Sequence, residues 1–120
     1  MKKEVVFLKV DEVTGNNRKY PKEVIEKALK GLDKTPVHLG QGSDVPIIGE
    51  ASGFKLKGDE VLCTLSIDKE VTGFPALRAK GEVDFEKDIA VVKDAEILSV
   101  DLVAQHSDKN IPSVSFSRGG

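Results

Sequence analysis

The sequence predicts an α+β domain, a small and mostly antiparallel β-barrel carrying one amphipathic helix in its N-terminal half. Three observations predict it. Behind Pro21 the residues Val24, Ile25, Ala28, Leu29 and Leu32 recur at helical spacing, so one stripe of a single helix is apolar. From Pro36 onward the pattern changes to short alternating runs, which is the period of strands with one buried face. The chain has 120 residues, enough for one modest core and too few for a second, so the helix and the strands must share it.

Taken in order, Val6, Leu8 and Val10 alternate with Phe7 and Lys9 and predict an opening strand that stops at Asp11. Thr14-Gly15-Asn16-Asn17-Arg18-Lys19 is a turn-rich loop, because Gly and Asn accept positive φ and Asn bonds to its own backbone. The helix is expected over 21–32, with Lys27 and Lys30 placed favourably for its dipole and Gly31 near its end. Three strands follow: Pro36 to Leu39, Ile47 to Leu56, and Glu60 to Ile67. The last two are joined by a tight turn at Lys57-Gly58-Asp59. Val61, Cys63, Leu65 and Ile67 should share the buried face of the returning strand. After a mixed stretch, Ala76 to Lys80, two more strands are expected at Glu82 to Val92 and Ala95 to Ala104, the first bent or split at Lys87-Asp88. The organisation is one β-rich domain over 1–106 and a polar C-terminal arm over 107–120.

Eighteen basic side chains nearly offset twenty acidic ones, for a formal charge of −2, which leaves no field to attract nucleic acid or an anionic membrane. The N-terminal stretch is too short and too charged for a signal sequence or a span. Cys63 is the single cysteine, so no internal disulfide can form, and a reducing cytoplasm is the simpler expectation. Two distant histidines without clustered carboxylates predict no metal site, and no cofactor is expected. Gly40-Gln41-Gly42 lacks the Lys and Ser/Thr of a phosphate loop and reads as a turn. Glu82 and Asp84 share one side of a strand, where a solvated face is expected ahead of an acid–base pair.

The segment Gly15-Asn16-Asn17-Arg18-Lys19-Tyr20-Pro21 resembles the Asn-Gly-Arg-x-Tyr-Pro lead into the first helix of the prohead maturation proteases of tailed phages. Two further stretches resemble that family in the same order: Pro46-Ile47-Ile48-Gly49-Glu50 before the hairpin, and Ile97-Leu98-Ser99-Val100-Asp101-Leu102-Val103 as a late hydrophobic strand. The resemblance spans roughly 14–112 and implies a barrel related to the herpesvirus assemblin, working in or on a viral capsid.

That family's chemistry needs a serine nucleophile, a histidine base and a group that orients the histidine. By the resemblance, serine is expected within Leu77-Arg78-Ala79-Lys80-Gly81, where Arg78 stands instead, and no serine or threonine lies between Thr72 and Ser99. An arginine stays protonated and cannot attack an acyl group. No catalytic residue is therefore expected. If the chain is active, Ser99 with His38 or His106 must do the work; otherwise His38 is a strand residue near the surface and His106 a strand-end residue facing water. Asp101, inside an apolar run, needs a partner such as Arg78 or His106 or an exposed face.

Three functions compete. A capsid-associated decoration, scaffold or head protein on an inactive protease-like fold comes first. It would contact capsid or other head proteins, as a homo-oligomer or multivalently on the shell, in the virion or in the host cytoplasm during assembly. An active serine maturation protease and a generic β-rich interaction domain are the alternatives.

Overall fold

A computed structural model describes residues 1–41, 44–106 and 108–117. Eight strands and one helix follow in the order β1 (Lys2–Lys9), β2 (Arg18–Lys19), α1 (Lys22–Leu29), β3 (Lys34–Leu39), β4 (Ile47–Lys57), β5 (Glu60–Ile67), β6 (Val71–Glu86), β7 (Ile89–Val103) and β8 (Val114–Phe116). They form one sheet in the order β1-β5-β4-β3-β7-β6-β8, with β2 added to β7. All pairings are antiparallel except β3 and β2 on β7. The sheet curls until β1 packs against β6, and Lys3 bridges the seam, its Nζ 2.5 Å from the Ser115 carbonyl and 5.7 Å from the Phe116 ring centroid. The result is a nearly closed barrel with one short helix.

The β4–β5 hairpin forms as its sequence dictates. Lys57 pairs with Glu60 around Gly58, whose φ of 64° suits a residue without Cβ, and Val61, Cys63, Leu65 and Ile67 are all fully buried. Phe7 and Phe54 meet edge-to-face in the same core, with centroids 6.0 Å apart. The opening strand departs from strict alternation. Its pairing with β5 slips between Val6 and Leu8, so the buried residues are Val5, Phe7, Leu8 and Val10, not Val6, Leu8 and Val10 alone. The slipped residue switches the side-chain phase and lets both Phe7 and Leu8 reach the interior.

The helix is shorter than its apolar stripe. Lys30 is already extended at ψ 124° and Gly31 has φ 74°, so the chain leaves helical geometry before Leu32. At the other end Pro21 offers no capping side chain, and the Asp11 carboxylate instead accepts the Lys22 N–H at 3.1 Å. Ile25, fully buried, anchors the helix in the core, against β7.

The two late strands expected at 82–92 and 95–104 are regrouped into one long hairpin. Lys87 takes φ 58°, making the Lys87-Asp88 interruption a chain reversal, and Ala76 to Lys80 is already part of β6. Pro75 is tolerated in β6 because beyond Gly73 that strand has only β7 as a neighbour, so a missing N–H need not break a ladder. Gly81 permits the irregularity opposite Asp94, whose carbonyl oxygen would lie 1.8 Å from any added Cβ. The polar tail also contributes to the barrel. Val114–Phe116 pair with Val71–Gly73, and Ile111 and Phe116 are 2% exposed, so two apolar side chains in a polar segment are enough to dock it. Ser107 and residues 118–120 of the expected arm, and Gly42 of the Gly-Gln-Gly turn, lie outside the described residues.

Candidate functional site

Strand register brings together four of the residues that sequence reasoning singled out. On β7, Val100 and Leu102 point into the core, so Ser99 and Asp101 take the opposite face. β3 lies parallel to β7 with His38 beside Asp101, and β6 lies antiparallel on the other flank with Arg78 opposite Ser99. A histidine, a carboxylate, a serine and an arginine separated by up to 63 positions thus share one patch.

Ser99 and Asp101 are fully shielded from solvent, and the Arg78 side chain is 28% exposed. The Ser99 hydroxyl donates to Asp101 Oδ1 at 2.7 Å and accepts from Arg78 Nε at 3.0 Å. Arg78 Nε stands 3.6 Å from Asp101 Oδ2, which has no hydrogen bond of its own. Burial pushes the Asp101 carboxyl above its ordinary range, opposed by the Ser99 hydrogen bond and by the charges of Arg78 and His38. Of the two partners that sequence reasoning offers for Asp101, Arg78 stands beside it and His106 lies elsewhere, and the exposed-face alternative does not hold.

The two histidines separate. His38 is 5% exposed, and its Nδ1–H donates to the Val45 carbonyl at 3.0 Å. Among the described residues no hydrogen bond joins His38 to Ser99 or Asp101. His106 lies past the end of β7, its Nδ1 accepting the Asp108 N–H at 2.9 Å and its Nε2 buried without a hydrogen bond. Burial holds its pKa below the ordinary value, partly offset by the nearby Phe7 and Pro75 backbone and the Asp108 charge. His38 is a strand residue as the sequence suggests, but a buried one, and His106, expected at a strand end facing water, is half-buried with its Nε2 out of solvent.

Chemically, the patch is an ion-paired polar cluster. Acyl transfer needs a hydroxyl that reaches substrate and hands its proton to a base. Ser99 faces no solvent and gives its proton to a carboxylate already engaged by Arg78. Glu82 and Asp84 are exposed as expected, and Asp84 forms an ion pair with Lys93. Among the described residues no group of three or more His, Cys, Asp or Glu side chains could hold a metal. No described helix is long and apolar enough to cross a membrane.

Sequence reasoning missed a cleft of about 390 Å³ beside this patch, lined by Arg18, Tyr20, Gln41 and His106 among others and by none of Arg78, Ser99 and Asp101. Its one sequence signal is the Asn-Asn-Arg-Lys-Tyr-Pro segment, which reads as a turn until the fold shows what its side chains border.

No protein-family model matches the chain, and no curated protein sequence matches it. Among solved structures it is similar to the bacteriophage T4 capsid assembly protease, gp21, with a TM-score of 0.73 and 21% identity over 87% of this chain and 81% of that one. A likeness at that identity establishes the architecture, and the nearly closed barrel with its short helix is therefore a prohead-protease-like fold.

Proposed function

We propose that this chain is a phage capsid-associated protein in which the protease-like barrel serves as a contact unit and carries no peptidase activity. The observation that supports this reading is the state of Ser99. It is the one serine of the long β6–β7 hairpin, and it is sealed from solvent with its proton committed to Asp101. Opposite it stands Arg78, which offers no nucleophile and instead neutralises the carboxylate. The partners are capsid or other head proteins, met by many copies on a repeated surface so that weak contacts add. The similarity in fold to the T4 capsid assembly protease supports the viral setting.

Two measurements test it. A fluorophosphonate that labels activated serines should leave the purified protein unmodified, and the protein should co-sediment with the capsid of its own source. Truncation before residue 107 is a poor control, because it removes buried Ile111 and Phe116; exposed-residue variants such as Phe85→Ser, 73% exposed at the hairpin tip, keep the barrel intact. An active protease is the second reading, favoured by the register that sets His38 beside Asp101. Labelling abolished by Ser99→Ala would establish that reading and remove the first, and failure to bind capsid would remove the contact role.

A further inference from the structure

The loop between β1 and α1 is pinned by backbone hydrogen bonds within itself and to β7. Asp11 N–H reaches the Tyr20 carbonyl at 2.9 Å, Thr14 N–H the Arg18 carbonyl at 2.8 Å, and Ala90 N–H the Asn17 carbonyl at 2.8 Å. Asn17 accepts φ 57° to make this path possible. The short strand β2 then lies along β7, and Arg18 and Tyr20, two positions apart on extended chain, both border the 390 Å³ cleft.

The polar lining of that cleft is rich in donors. Among the described residues the Arg18 guanidinium has no carboxylate partner, and no Asp or Glu lines the cleft. Thr14 donates its hydroxyl to Asn16 Oδ1, which leaves the Asn16 NH₂ without an acceptor among the described residues. The His106 ring accepts at Nδ1, so its second nitrogen carries the proton and is turned toward the nearby Phe7 and Pro75 backbone at the edge of the cleft. Phe7, Leu8, Ala76, Leu77 and Val103 make an apolar part of the wall, and Gln41 and Gln105 add two amides to its polar part. An arginine without an ion-pair partner and an amide NH₂ bordering a cleft with an apolar wall and no acidic lining form a site for an anion with a hydrophobic substituent, and the arginine fork matches a carboxylate.

We propose that this cleft binds a carboxylate bearing a short apolar side chain, with Arg18 as the principal anchor and Asn16, Tyr20 and His106 around it. The ligand is either the free C-terminal end of a polypeptide or a small organic acid, since both present the same chemistry. The site is separate from Arg78, Ser99 and Asp101 and stands whether or not the chain cleaves protein.

The test is an amide-resolved NMR titration of the full chain at constant ionic strength with three probes: N-acetylglycyl-leucine, its C-terminal amide, and sodium isovalerate. The two acids should shift the amides of Arg18, Tyr20, Gln41 and His106, and the amide-capped peptide should not. Arg18→Gln should weaken the acids by roughly tenfold or more, the loss expected for one charge-assisted pair, at unchanged melting temperature. Arg18→Lys should retain part of the binding, because it keeps the charge and loses the fork. Tighter binding of the acetylated dipeptide identifies a chain terminus as the source, and tighter isovalerate a free acid; either ranking supports the site. The proposal is overturned if the capped peptide binds as well as its acid, if Arg18→Gln binds unchanged, or if neither acid shifts these amides at millimolar concentration.

Discussion

Replacing Arg78 by alanine tests how the polar cluster is held together. Asp101 is fully buried, and its nearest positive charge is Arg78 Nε, 3.6 Å from Oδ2. At that separation a pair of unit charges attracts by about 4–5 kcal/mol at an effective dielectric of 20. The net loss must be smaller, because the arginine is partly solvated and Asp101, already shifted upward, can take a proton once its partner is gone. Loss of the hydrogen bond to Ser99 adds about 1 kcal/mol. We expect Arg78→Ala to destabilise the fold by about 2–3 kcal/mol at pH 7, equivalent to about 8–12 °C in melting temperature for a domain of this size. The loss should shrink as pH falls toward 4 and Asp101 becomes protonated. Combining it with Asp101→Asn should restore most of the stability, because no buried charge then remains unpaired. Urea unfolding of the two single variants and the double variant measures all three quantities. A single-variant loss below about 0.5 kcal/mol, or a loss unaffected by Asp101→Asn, would refute the ion-pair account.

Asp101 has a native pKa above the ordinary 3.8, so between that value and its raised one the folded state binds more protons than the unfolded state. Stability from this site is therefore present at low pH and declines as pH rises through that window. The difference in urea midpoint between Asp101→Asn and wild type should grow from pH 4 to pH 7, and a flat difference would contradict the shift. His106 has the opposite sense, since its native pKa lies below 6.5: its contribution is present above pH 6.5 and is lost as pH drops beneath it, a loss that His106→Gln should remove from the melting curve. Phe116→Ala should cost about 3–5 kcal/mol by denaturant melts, because the ring is buried at the barrel seam; a loss under 1 kcal/mol would mean that β8 does not close the barrel. Burial, with a smaller contribution from Glu4, pushes the Cys63 thiol up to about 12, so it should resist a disulfide reagent at pH 8 until the chain unfolds.

Much of the architecture is legible in the residues because local chemistry has few alternatives. Glycine at 58 between two alternating runs makes a hairpin, and the stripe around Ile25 makes a helix with one buried side. The resemblance carried by Arg18-Lys19-Tyr20-Pro21 and by the Ile97 to Val103 run also anticipates the fold shared with the T4 capsid assembly protease. Arg78 and His106 are the partners that the sequence offers for Asp101 if it is buried, since a buried carboxylate in an apolar run requires one; the fold selects Arg78.

Tertiary structure decided the rest. The register slip in β1 arises from pairing with β5, and no period within that segment encodes it; the break at Lys87-Asp88 is legible as a bend or split, but that it reverses the chain into one long hairpin is decided by the pairing of β6 with β7. The tail reads as polar because most of its residues are, yet two well-placed apolar side chains outweigh the composition once a barrel exists to receive them. The separation of His38 from His106, the sealing of Ser99 and the cleft beneath Arg18 and Tyr20 all depend on which strands become neighbours. Pairings between residues dozens of positions apart are set by closing the barrel as a whole, and that closure has no local signature in the chain.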